Sequence, residues 1–308
     1  MEVLFIFLLA LIIDLVFGDP PNAFHPVAYM GRVIALFERA GFKGSRVYQF
    51  VYGIVMVFIA MALFFIPVYF LLDWLHGVNS IVYIIVSAVL LKMCFTVTGL
   101  RKAALLIKQL LEKDDIAQAR FELRSLVSRD TSKLPQPKLV AAAVESVAES
   151  IGDGFVAPLF FFLIFGVPGV MAYRVVSTFD SMVGYRGKYE HLGKFAARFD
   201  DVLNFIPARL SALCILVSSL FGRYSPAGAW RIMWRDHAKT QSPNAGWPMA
   251  TAAGALEVCL EKVGHYSLGD NIRELVPQTI SRSLLLINSA AFIWVLISAG
   301  VIYFVRIA

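Results

Sequence analysis

Glu145, Glu149 and Asp153 stand four residues apart. On a helix they share one face, with about one turn between neighbours. Like charges at that spacing repel by roughly a few tenths of a kcal/mol per pair when exposed. A metal ion or a basic ligand would relieve that cost. Lys or Arg pairing across a solvated acidic face would also relieve it. Arg129-Asp130-Thr131 precedes the three acids.

A second group is denser. Asp180-Ser181-Met182-Val183-Gly184-Tyr185-Arg186 is followed by Tyr189, Gly193 and Ala197-Arg198-Phe199-Asp200-Asp201. Carboxylates with few competing ligands suit Mg²⁺ together with substrate phosphates. Arg suits the phosphates themselves. A loop tied by internal salt bridges would use the same residues, and Asp200-Asp201 does not extend to a D-D-x-x-D diphosphate motif.

Two further segments are rich in turn formers. Ser242-Pro243-Asn244-Ala245-Gly246-Trp247-Pro248 implies a fixed backbone shape. It can present N–H groups to an anion or serve as a rigid surface loop. Gly18-Asp19-Pro20-Pro21, with His25-Pro26 and Met30-Gly31-Arg32, follows the first apolar run. Taken alone, that segment reads by default as a turn that ends a helix. The chain has no phosphate-binding P-loop, dinucleotide fingerprint, H-E-x-x-H pair or G-x-S-x-G elbow. Cys94, Cys214 and Cys259 are far apart in sequence and sit in or beside apolar runs, as small buried hydrophobes do.

The elements that must position these groups are apolar. Of 308 residues, 58% are hydrophobic and 16% charged, against roughly 45–50% and about 25% in a soluble domain. Lipid-facing surface accounts for the excess. A helical span needs about 20 mainly apolar residues. Val51–Leu72, Ser80–Leu100 and Leu284–Val305 qualify, and Val3–Phe17 is a short first helix. Phe155–Tyr173 is broken by Pro158, Gly166, Pro168 and Gly169, and Leu203–Phe221 contains Pro207 and Arg209. Each of these two runs can span or re-enter. The fold class is therefore all-α: one integral membrane domain over 1–308, with four to six membrane helices, the number depending on whether those two runs span or re-enter. Residues 101–154 and 222–283 form large helical cytoplasmic loops. Within the first, 101–127 reads as an amphipathic helix pair, and 139–152 as a helix ended by Gly152-Asp153-Gly154.

Basic residues orient the chain. The connector Asp73–Val78 has no Lys or Arg, whereas 101–154 has nine. The positive-inside rule puts the long loops on the cytoplasmic side of the plasma membrane. The net charge is +6, and the Lys and Arg behind it lie in the loops between the apolar runs. No basic run interleaved with aromatics supports nucleic-acid binding, and nothing in the sequence specifies an oligomeric state.

Taken in order, these segments resemble the adenosylcobinamide-phosphate synthase family (CobD/CbiB). The matching pieces are Gly18-Asp19-Pro20-Pro21 with His25-Pro26; Arg129-Asp130-Thr131; Val144-Glu145-Ser146 through Glu149 and Asp153-Gly154 to Ala157-Pro158-Leu159; Asp180 to Tyr185; Ala197-Arg198 with Asp200-Asp201; Pro207-Ala208-Arg209; and Ser242 to Gly246. They run from about residue 10 to about residue 270. The family pattern has Asn where Ser150 and Ser177 stand.

The resemblance implies a membrane enzyme that joins adenosylcobyric acid to aminopropanol or its phosphate, consuming ATP with Mg²⁺. A carboxylate is a poor acyl donor, so ATP must convert it to an acyl phosphate before the amine attacks. The same resemblance implies the roles. Glu145, Glu149, Asp180 and Asp201 are the catalytic candidates. Arg129, Arg186, Arg198, Arg209 and Asn244 are the substrate-binding candidates. Asp153, Asp180 and Asp200 are the metal-ligand candidates. The partners are then a corrinoid, an amino alcohol and membrane lipid. A transporter or binding protein for an anionic metabolite is the competing reading. It asks for ionisable residues inside the spans, where the firm runs hold only Asp14 and Lys92, each near an end.

Overall fold

In a computed structural model, residues 1–305 are described, apart from Asn22, Phe24, Lys43 and Arg186; Val305 is described as backbone only. In chain order the helices are α1 (Glu2–Phe17), α2 (Pro26–Gly41), α3 (Arg46–Val78), α4 (Ser80–Lys92), α5 (Thr98–Glu112), α6 (Ile116–Leu123), α7 (Gln136–Ile151), α8 (Ala157–Val183), α9 (Lys194–Leu203), α10 (Phe205–Ser218), α11 (Pro226–Asp236), α12 (Gly246–Leu256) and α13 (Pro277–Val305). Strands β1 (Leu260–Lys262) and β2 (Tyr266–Leu268) form an antiparallel hairpin that an all-helical reading did not anticipate. Gly264, at φ 76°, makes its tight turn.

By length and apolarity, three helices can cross a bilayer: α3, the run Gln136–Val183 and Pro277–Phe304. Taking α9 and α10 as one bent span gives up to four. The protein is thus an all-α polytopic membrane protein, as expected. Three local expectations change. The connector Asp73–Val78 is helical as the end of α3, which leaves Asn79 alone between α3 and α4. The Asn79 side chain accepts from the N–H groups of Ile81 and Val82 at 2.9 and 3.1 Å, so one residue both ends α3 and caps α4. The run Ser80–Leu100 is helical only to Lys92, and α5 starts at Thr98. Lastly, Gly152-Asp153-Gly154 does not end a helix. The chain widens there into a π turn, Gly152–Val156, in which the Ala157 N–H bonds the Gly152 carbonyl, and continues into α8. Glycine permits a stop, but the apolar run that follows has its own reason to stay helical. The break falls later, at Gly166 (φ 65°), just before Pro168.

The chain divides into two compact units. One comprises Met1–Thr96, Pro158–Asn204 and the chain from Ser298; the other comprises Val97–Ala157 and Phe205–Ile297. In the first, α1 packs on α4, and α3 packs on α2, α4 and α9. Gly18 (φ 68°) ends α1, and the His25 ring caps α2 by accepting from the Val27 N–H. Lys92, 2% exposed, lies 2.9 Å from Asp14 and 2.5 Å from Asp19, whose other oxygen accepts from Thr96 at 2.7 Å. The two ionisable residues noted near the span ends therefore meet, and they pin the Gly18-Asp19-Pro20-Pro21 turn.

In the second unit α12 is central. It packs on α7, α10 and α11, and all of its residues are buried. Small residues allow this, since the Ala- and Gly-rich sequence lets neighbouring backbones come close. A Cβ on Gly254 would overlap the Gly228 carbonyl, so α11 and α12 cross at a glycine pair. The expected helix pair over 101–127 is present as α5 and α6.

Candidate active site around the π turn

The three acids of α7 do not share one environment. Glu145 is 4% exposed, whereas Glu149 and Asp153 are exposed. The helix rolls its acidic stripe from the core out to the surface within two turns. Glu145 Oε2 accepts from Arg129 Nη2 at 2.8 Å and from the Tyr266 hydroxyl at 3.1 Å. Its other oxygen, Oε1, and Arg129 Nε are buried and find no hydrogen-bond partner among the described residues. Burial above all, then the Glu145 and Glu149 carboxylates, push Tyr266 far above the ordinary phenol range, so it stays a donor. Tyr266 also touches Met249 of α12. Nearby, Thr131 is buried and donates to the Arg120 carbonyl at 2.6 Å, and Ser146 donates to the Leu126 carbonyl at 3.0 Å. The first bond ties Thr131 to α6 and the second ties Leu126 to α7, and Arg129 itself joins α7 through Glu145.

The π turn sets the next group. A Cβ on Gly152 would sit 3.4 Å from Ser211 Oγ of α10 and 3.9 Å from Pro248 of α12. This close approach brings the Glu149/Asp153 end of α7 to the helices that carry Arg209 and follow Asn244. Arg209 donates to the Phe205 carbonyl at 2.6 Å and to Asn244 Oδ1 at 3.4 Å. Its guanidinium lies 3.5 Å from the centre of the Phe205 ring and 4.7 Å from that of Trp247. Arg209 thus packs its guanidinium against two aromatic rings while donating to two oxygens, an arrangement that lysine cannot reproduce. π turns recur at functional sites because the extra residue re-aims side chains. Within this unit the structure brings together Arg129 with Glu145, and Arg209 with Asn244. Glu149 and Asp153 lie on the surface at either side of Gly152, where the π turn packs on α10.

The remaining candidates lie in the other unit. Asp180 closes α8, and its backbone carbonyl accepts from the Gly184 N–H at 2.8 Å. A Cβ on Gly184 would overlap the Asp180 carboxylate, and one on Gly193 would overlap the Val183 carbonyl. The glycines of this loop are therefore steric necessities. Asp200 Oδ2 accepts from Asn204 at 2.9 Å, and Asn204 Oδ1 accepts from the Tyr173 hydroxyl at 2.9 Å. Arg198, exposed, lies 3.9 Å from Asp201. Arg186 falls outside the described residues. Among the described residues, no three His, Cys, Asp or Glu side chains form a cluster suited to a metal ion.

Sequence reasoning missed Tyr266 and Asp236. Asp236 is fully buried at the end of α11, bound by Arg235 at 2.8 Å, Lys239 at 2.5 Å and the Gly269 N–H at 2.7 Å. Burial works against its charge, but these donors outweigh it and hold its carboxyl at about 2. The Arg235-Asp236 dipeptide and Lys239 were visible in the sequence, but Gly269 was not a legible partner. Tyr266 carried no signal, because its role depends on a hairpin of six strand residues.

A family model described as CobD/Cbib protein matches residues 7–287. The chain is 90% identical over 308 residues, the full length of both chains, to a protein named cobalamin biosynthesis protein CobD from Dehalococcoides mccartyi strain CBDB1. It is 39% identical over 290 residues to a probable cobalamin biosynthesis protein CobD from Thermoplasma volcanium, covering 94% of this chain and 93% of that one. It is 37% identical over 306 residues to a cobalamin biosynthesis protein CobD from Klebsiella pneumoniae, covering 96% of each. No solved structure matches.

Proposed function

The chain belongs to the CobD/CbiB family of cobalamin biosynthesis proteins, and from that premise we propose that it is an ATP-dependent ligase joining adenosylcobyric acid to aminopropanol or its phosphate. The observation that carries the reading is the convergence at the π turn. Glu149 and Asp153, both exposed, flank Gly152 at the π turn, and that turn packs on α10, whose Arg209 guanidinium lies against the Phe205 and Trp247 rings and donates to Asn244.

An amide cannot form from a carboxylate and an amine at useful rates without activation. The corrinoid carboxylate attacks the γ-phosphorus of ATP, and ADP leaves. The amine then attacks the acyl carbon, and phosphate leaves with one of the original carboxylate oxygens. The amine must lose protons to do this. Glu149 accepts a proton, and Arg209 holds the phosphate that is transferred and then released. Glu145, buried and bound by Arg129 and Tyr266, positions α7. Mg²⁺ is commonly held by one or two carboxylates together with substrate phosphates, a demand that Glu149 and Asp153 fit. When bound, it supplies charge neutralisation on the phosphates. ATP is a cytosolic reagent, so this face of the protein lies at the cytoplasmic side of the plasma membrane, in line with the nine basic residues of 101–154.

The test is purified protein in lipid nanodiscs with adenosylcobyric acid, aminopropanol phosphate and Mg-ATP, read by product mass. The expected result is a corrinoid heavier by the amine minus water, formed only with ATP. Corrinoid uptake into sealed vesicles with no ATP turnover would support a transporter instead.

A further inference from the structure

An aromatic ladder leads away from Arg209. Trp247 lies under the Arg209 guanidinium and is 8% exposed. The His237 ring sits 4.1 Å from Trp247, tilted 35°. Trp234 meets Trp247 edge-on at 5.4 Å, and Trp230 meets Trp234 edge-on at 5.7 Å. Trp230 and Trp234 are 51% and 52% exposed. Two half-exposed tryptophans one helical turn apart give a broad apolar surface. Trp247 links them to Arg209, which donates to Asn244.

The histidine in this ladder has a defined tautomer. Its Nδ1 lies 3.0 Å from the Met233 carbonyl and 3.2 Å from the Trp234 carbonyl. Carbonyl oxygens only accept, so Nδ1 carries the proton. In the neutral ring Nε2 then keeps its lone pair. A histidine that donates its other N–H to a backbone carbonyl has the arrangement seen in metal-ligating histidines, where that bond fixes ring orientation and raises basicity. Packing against Trp247 fixes the ring further. Among the described residues no three His, Cys, Asp or Glu side chains cluster to form a resident metal site, so a metal that suits this nitrogen is one that arrives with ligands of its own.

We propose that the ladder seats the corrin macrocycle and that His237 Nε2 is an axial ligand to its cobalt. This rests on the ligase reading, because the cobalt belongs to the substrate. The macrocycle supplies four equatorial nitrogens, so one imidazole completes an axial position. The Nε2 lone pair forms the new bond and a bound water leaves. Cobalt is neither oxidised nor reduced. The flat, methyl-bearing face of the ring meets Trp230 and Trp234, and its polar side arms reach Arg209 and Asn244. Axial anchoring would fix the height and tilt of a large substrate that presents only one reacting carboxylate.

The experiment uses full-length protein in nanodiscs with cobyric acid reduced to cobalt(II), read by electron paramagnetic resonance. One axial ¹⁴N splits each high-field cobalt line into three. Protein labelled with ¹⁵N only at histidine turns the three lines into two, without any mutation. His237→Asn keeps an N–H near the Met233 carbonyl but has no atom where Nε2 lay, so its bound corrinoid shows unsplit lines. Adding imidazole to that variant restores the triplet. Wild-type protein that binds the corrinoid and forms product while the lines stay unsplit would overturn the assignment and leave the ligase reading standing. Wild-type protein that neither binds the corrinoid nor forms product would overturn both.

Discussion

The Tyr266 hydroxyl reaches Glu145 Oε2 at 3.1 Å from a hairpin more than a hundred residues away in sequence. Because Arg129 grips the same oxygen at 2.8 Å, the carboxylate is a junction of three chain segments. Tyr266→Phe removes one charge-assisted bond and is expected to cost about 1.5–3 kcal/mol of stability. Arg129→Met leaves a buried carboxylate without its cation and is expected to cost about 3–5 kcal/mol. The double variant Arg129→Met, Glu145→Met should recover most of that loss. Thermal unfolding in detergent, followed by tryptophan fluorescence, checks the order. A single Arg129→Met as stable as wild type would remove the junction from the account.

Lys92 offers a similar test in the other unit. Lys92→Met removes the cation that Asp14 and Asp19 share, one of them buried and one partly so, with an expected cost of about 3–5 kcal/mol. Asp14→Asn with Asp19→Asn and Lys92→Met should restore much of the folded yield in membranes. If the triple variant is no better than the single one, the loss comes from packing of the lysine stem.

Arg209→Lys keeps the charge but loses the planar stack on Phe205 and Trp247. The expected result is weaker phosphate binding by about 1.5–3 kcal/mol, seen as a raised KM for ATP. An unchanged KM would move the phosphate elsewhere.

Asp236 sets an acid limit on its own unit. Its folded pKa of about 2 lies below the ordinary carboxylate value of 3.8. A depressed pKa gives stability that is full above pH 4 and is lost as pH falls from about 4 to about 2. Asp236→Asn should therefore be less stable than wild type at pH 7, with a gap that closes over that window. Urea midpoints at pH 7 and pH 3 measure it. A gap that stays constant with pH would contradict the assignment.

Much of this was legible in the sequence, for physical reasons. Long uncharged runs have few alternatives to membrane helices, so α3 and α13 were plain. The amphipathic period of 101–127 marked α5 and α6. The break at Gly166 was foreseen because glycine and proline crowd one apolar run. The π turn was not foreseen, since glycines at 152 and 154 read equally well as a stop. Burial of Glu145 was hidden as well, because spacing puts three acids on one face but cannot say where that face enters the core. Partners in distant segments, such as Asp14 with Lys92, leave no local pattern.

The central claim is that ATP activates the corrinoid carboxylate as an acyl phosphate at the Glu149, Asp153 and Arg209 face. Oxygen-18 placed in the free carboxylate of adenosylcobyric acid tests it most directly. Inorganic phosphate collected after turnover should carry one ¹⁸O for each amide formed, and Arg209→Lys should slow label transfer and amide formation together. Amide formed with unlabelled phosphate would contradict the account.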